Sequence, residues 1–95
     1  AEMISEGSSI FRTVIIITRE NEKVTKAILE VLERGVTILS GTGAYTNEER
    51  PVLYCVVTRS EVNQLKQLVK EADPQAFMVI GVTHEALGEG FRPFK

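Results

Sequence analysis

The sequence predicts an α+β fold of the ferredoxin-like type: a four-stranded antiparallel sheet with two helices on one face. Three observations predict it. Four short β-branched or aliphatic runs alternate with two segments of helical period in the order β-α-β-β-α-β. A length of 95 residues holds one domain and one core. Right-handed crossovers then make the split β-α-β arrangement the economical solution.

Each element has its own signal. Phe11 to Thr18 is β-branched and apolar, a strand. Arg19 to Lys23 is a polar turn in which Asn21 suits an N-cap. Val24, Ala27, Ile28, Val31 and Leu32 form one stripe of an amphipathic helix, with Glu22–Lys26 and Glu30–Arg34 as acid-before-base pairs. Gly35 stands where a left-handed cap belongs. Val36 to Ser40 is the second strand, 41–50 a loop, and Pro51 to Val57 the third strand with proline at its first position. Thr58 and Glu61 have capping-box spacing for a helix whose stripe is Val62, Leu65, Leu68, Val69 and Ala72. Asp73-Pro74 stops it. Ala76 to Ile80 is the fourth strand. The domain is expected over 11–95 with a C-terminal tail, preceded by a flexible segment at 1–10 that is native or a cloning remnant. That segment has neither the basic start nor the apolar stretch of a signal peptide.

Composition excludes several classes. An apolar fraction of 43% and a charged fraction of 25% are those of a globular domain, not a disordered or collagen-like chain. Eleven basic against thirteen acidic residues give a net charge of −2, no attraction for nucleic acid or anionic lipid. One cysteine makes no internal disulfide and no multi-thiolate metal site. The longest unbroken aliphatic run, Val14 to Ile17, is far short of the ~20 residues of a spanning helix.

The strands carry a further expectation. Apolar residues occupy both alternating sets in strands one, three and four: Ile15 and Ile17 against Val14 and Ile16, Leu53 and Val57 against Val52 and Val56, Phe77 and Val79 against Met78 and Ile80. The helices cover one face, so Val14, Ile16 and their neighbours in strands three and four are expected against the tail or a second subunit. A homo-oligomer, dimer or trimer, follows as an expectation.

Chemistry concentrates in Ser40-Gly-Thr-Gly-Ala-Tyr-Thr-Asn47. Gly41 and Gly43 allow close backbone approach to a phosphate or carboxylate, Thr42 and Thr46 offer hydroxyls, and Tyr45 offers a ring face. The plainer reading is a bulge and a turn, with Tyr45 packed on the loop. The spacing matches neither a P-loop nor the dinucleotide fingerprint. Gly88, Glu89, Gly90 and Phe91 repeat the close-approach pattern in the tail. Cys55 reads as a buried hydrophobe, His84-Glu85 as a cap of a short helical turn, and Glu48-Glu49-Arg50 as a solvated loop tip. Arg19 is able to hold an anion, although an exposed arginine needs no such role. No nucleophile–base pair or paired carboxylates suggest an enzyme, and no ligand set suggests a metal or cofactor. RNA-recognition modules stack bases on aromatics of strands one and three, where this chain offers only Phe11 and Tyr54, and metal chaperones need two cysteines in the first loop, where Thr18 to Lys23 has none.

Glu30 to Thr46, Pro51 to Lys66, Asp73 to Phe77 and His84 to Phe91, with the Gly-x-Gly-x-Tyr-Thr loop at 41–46 and Leu-Gly-Glu-Gly-Phe at 87–91, resemble the C-terminal soluble domain of YitT-type bacterial membrane proteins, a domain of unknown function. Asn47 departs from that pattern, which has glycine after Tyr-Thr. The resemblance implies a covalently linked transmembrane region and a position on the cytoplasmic face of the bacterial plasma membrane. The domain is also similar to PII-type signalling proteins, trimeric modules that bind nucleotides between subunits with the loop between strands two and three. The expected function is therefore a regulatory or sensory domain without enzymatic activity. It would bind a small anion or nucleotide through Gly41, Thr42, Gly43, Tyr45, Thr46 and the 88–91 segment. The alternative is an assembly module with no ligand.

Overall fold

The computed structural model describes residues 10–83. Its elements are β1 (Phe11–Ile17), α1 (Asn21–Ala27) with a π-helical continuation (Ile28–Leu32), β2 (Thr37–Thr42), β3 (Glu49–Thr58), a 3₁₀ turn (Arg59–Glu61) leading into α2 (Val62–Ala72), and β4 (Phe77–Thr83). The strands form one antiparallel sheet in the order β2-β3-β1-β4. This is the ferredoxin-like α+β architecture that the element order predicts.

Both helices pack on one face. Val24 and Ile28 from the first helix and Leu65 and Val69 from the second meet Val14, Ile16, Leu53, Cys55 and Val57 of the sheet. Most of these are completely buried, and fully burying each large aliphatic side chain contributes about 2 kcal/mol. Val14 and Ile16 therefore lie under the helices, which corrects the expectation that they face the tail or a second subunit. The pairing Ile15↔Tyr54 and Ile15↔Val79, with Ile17↔Val52 and Ile17↔Phe77, puts the other set on the open face. Alternation fixes which residues travel together but not which set the helices cover, and here both sets are apolar. Tyr54, Phe77, Val79 and Leu39 are exposed on or beside that open face.

Three local details differ from the sequence reading. Glu20, not Asn21, precedes the first helix, and Asn21 is its first residue. The left-handed residue that ends the helical unit is Glu33, at φ 57°, whose amide donates to the Ile28 carbonyl at 3.1 Å. That bond spans five residues and widens the last turn, so the chain reverses two residues before Gly35. Pro51 is the third residue of β3, not the first. It is tolerated there because β1 ends at Ile17, opposite Val52, so no ladder bond to β1 is lost. The second helix agrees in detail. The Thr58–Glu61 capping box is formed, and Asp73 turns extended at φ −153° ahead of Pro74.

Candidate functional site

The β2–β3 hairpin projects past the sheet. Glu49, Arg50 and Pro51 pair with Thr42, Gly41 and Ser40, yet lie beyond the reach of β1. Thus Gly41 and Thr42, expected in a loop, are strand residues, and the reversal is confined to 43–48. The Gly43 amide donates to the Glu48 carbonyl at 2.8 Å, and the Asn47 amide donates to the Gly43 carbonyl at 2.7 Å. Asn47 takes φ 63°, a left-handed conformation that asparagine tolerates better than most residues. This is why the position that resembles a family glycine accepts asparagine.

The glycines have local reasons. A Cβ at Gly41 would stand 3.0 Å from Val52 Cγ2 and 3.1 Å from the Arg50 carbonyl. One at Gly43 would meet Thr46 Oγ1 at 2.9 Å. Tyr45 does not pack on the loop: it is fully exposed at the tip. Thr46 Oγ1 accepts a long 3.3 Å hydrogen bond from the Glu48 amide, and Thr42 is exposed at the strand end. A groove of about 360 Å³ runs beside the hairpin, lined by Ile38 to Thr42 and Glu49 to Pro51. Gly88, Glu89, Gly90 and Phe91, with His84, lie outside the described residues.

Charges at the hairpin's base were not singled out as a group by sequence reasoning. Glu48 approaches Arg50 and also Arg19 from the β1–α1 loop. The hints were the acid–base run at 48–50, which an isolated loop tip explains equally well, and Arg19 taken alone as able to hold an anion. Below it, the buried Thr18 hydroxyl donates to Asp73 Oδ2 at 2.6 Å, and the Gln75 amide donates to Asp73 Oδ1 at 3.0 Å. The Thr18 hydrogen bond first, then the Gln75 amide, holds the Asp73 carboxyl below its ordinary pKa. Cys55 is buried, and burial, with the Glu61 charge second, pushes its thiol up to about 11. It is a structural residue, not a nucleophile. Among the described residues no three His, Cys, Asp or Glu side chains gather into a metal site.

The split β-α-β sheet with its projecting β2–β3 hairpin defines a small ferredoxin-like domain of the PII-like kind. Arabidopsis thaliana PII bound to citrate superposes on 79% of this chain and 78% of its own with a TM-score of 0.67, at 21% identity, a likeness of fold alone. The chain belongs to the bacterial family described as "Uncharacterized protein conserved in bacteria (DUF2179)", which matches residues 34–88. A family structure from Eubacterium ventriosum has a TM-score of 0.66 and 34% identity over 75% of this chain and 97% of that one. The chain is 48% identical over 91 residues to the uncharacterized protein in the cccA 5' region of Bacillus sp. (strain PS3), covering 96% of this chain and 61% of that protein. It is also similar to Bacillus subtilis (strain 168) UPF0750 membrane proteins. YpjC is 46% identical over 95% of this chain and 31% of its own length, and YitT 37% identical over 80% and 27%. The chain thus spans about a third or less of these membrane proteins. No helix among the described residues is long and apolar enough to cross a membrane.

Proposed function

We propose that this chain is a non-enzymatic regulatory domain of a membrane protein, held at the cytoplasmic face, that binds a small anion or nucleotide through the Gly41–Thr46 hairpin. The observation that carries the reading is the hairpin itself. It stands clear of the sheet, presents the fully exposed Tyr45 ring at its tip, and flanks an open groove. An aromatic held wholly in water has no packing reason to be there, whereas a ring face beside exposed hydroxyls suits a base or an anion. The membrane-protein relatives and the PII-like fold support the reading.

The test is a thermal-shift screen of nucleotides and cyclic dinucleotides against the protein and its Tyr45→Ala variant. A ligand at ~100 times its dissociation constant adds about 2.7 kcal/mol to the folded state. The expected result is a stabiliser whose effect the variant loses while its unliganded melting point stays unchanged. A screen without any stabiliser overturns the reading.

The second reading, an assembly module, is favoured by a separate observation. The edge strand β2 has no charged residue and no proline to discourage pairing, and its Ile38 and Leu39 are both about half exposed. Together with the apolar open face it suits a homo-oligomer, dimer or trimer, which sedimentation at micromolar concentration tests.

A further inference from the structure

Two segments distant in sequence meet at the base of the hairpin. The β1–α1 loop brings Arg19, the start of β3 brings Arg50, and the turn brings Glu48. Arg50 Nη2 lies 3.4 Å and Arg19 Nη2 3.9 Å from the same atom, Glu48 Oε1. A well-formed charge-assisted bond is shorter, about 2.7–2.9 Å. One carboxylate oxygen is therefore shared loosely between two guanidiniums, each a planar fork of five donors. The Glu48 side chain is 60% exposed, so water competes with both contacts.

Both arginines line a polar concavity of about 320 Å³ together with Ile17, Thr18, Glu20, Asp73 and Gln75. The Thr18 hydroxyl and the Gln75 backbone amide are already spent on Asp73. The charged donors of this concavity are the two guanidinium forks. Glu20 and Asp73 balance much of the arginine charge, so net attraction selects nothing; the fork geometry does, and it matches the oxygens of a phosphoryl group.

We propose that Arg19 and Arg50 form a clamp for a small soluble phosphate-bearing ligand, and that Glu48 is the internal stand-in which the ligand displaces. This rests on the anion-binding reading and moves its charged contact from the 41–46 glycines to two arginines on separate elements. Displacing Glu48 unties the turn from the β1–α1 loop, so occupancy of the clamp is transmitted to the hairpin that carries Tyr45.

Pyrophosphate, titrated calorimetrically at fixed ionic strength, is the probe. The wild type is expected to bind, and Glu48→Gln to bind roughly threefold more tightly because the competing carboxylate is neutralised. Arg19→Gln and Arg50→Gln are expected to lose about tenfold each, and Lys66→Gln on the exposed face of α2 to lose nothing. Arg50→Lys, which keeps charge but not the fork, falls between; melting curves establish that each variant is folded. Arginine variants no weaker than Lys66→Gln, a Glu48→Gln variant no tighter than wild type, or no binding by either overturns the clamp. Attachment to phosphatidylglycerol vesicles in place of pyrophosphate overturns the soluble ligand. A nucleotide stabiliser that depends on Tyr45 but not on Arg19 or Arg50 would leave the regulatory reading standing and remove the clamp alone.

Discussion

Arg34, just beyond the first helical unit, donates from Nε to both carboxylate oxygens of Glu61, at 3.1 and 3.3 Å. Glu61 also accepts the Thr58 amide at 2.8 Å, so one carboxylate caps the second helix and ties the first to it. Partial burial alone would raise the Glu61 pKa. The Thr58 amide and the Arg34 guanidinium overcome that and hold it below the ordinary value.

A group whose folded pKa is depressed stabilises fully above its unfolded value, about 4.3 for glutamate, and loses that contribution as pH falls through the folded pKa. Glu61→Gln is expected to cost about 1 kcal/mol at neutral pH, with the gap to wild type narrowing on acidification. Denaturant melts at neutral and acid pH measure this; a pH-independent gap would contradict the linkage.

The face assignment is tested by paired truncations. Ile16→Ala, under the helices, is expected to cost about 3 kcal/mol, whereas Ile15→Ala on the open face costs clearly less in the dilute protein. Equal losses would mean that the open face is already covered.

Gly41→Ala sets a Cβ against Val52 and the Arg50 carbonyl and is expected to destabilise by about 1–3 kcal/mol. Gly81→Ala in β4, with nothing within 4 Å, is the control and is expected to be neutral or slightly stabilising. Gly43→Val disturbs Thr46 and the turn, so Tyr45→Ala is the cleaner probe of ligand binding.

Cys55 is expected to resist thiol reagents in the native state at mildly alkaline pH, and to react only as the protein unfolds. Stoichiometric labelling within seconds, without denaturant, would show that the strand is not sealed.

Hydrogen exchange reads the edge. The Gly43–Glu48 bond and antiparallel alternation place Leu39 and Gly41 amides toward β3 and those of Ile38, Ser40 and Thr42 toward the free side. The first pair is expected to be protected and the second set to exchange freely in dilute protein. If β2 pairs between copies, protection spreads to the second set as concentration rises.

Element order, the capping box and the Asp73-Pro74 stop were legible because each depends on residues close in sequence. The covered face was not, because Ile15 and Ile16 are chemically alike and only helix placement separates them. Gly35 drew attention as the helix terminator because glycine adopts left-handed geometry freely, yet the widened final turn spends that geometry on Glu33. The contact from Arg34 to Glu61 spans 27 residues, and pairing Arg34 with Glu30 was the nearer expectation. At the hairpin, sequence picked out glycines and Tyr45. It could not reveal Arg19 beside Arg50, since the topology alone makes them neighbours.

The strand order has a consequence for how the molecule comes into being. β1 is the first strand of the described residues but second from one edge in the sheet, held by β3 on one side and β4 on the other. Of its two partners, β3 emerges from the ribosome after the first helix and β2, and β4 only after the second helix, near the end of the described residues. Every ladder bond to β1 therefore closes a long loop, a cost that helical bundles held by local contacts do not carry. A nascent chain cut off before Phe77 leaves one side of β1 open as an unsatisfied apolar edge, a surface that other unfinished copies or a chaperone would meet first.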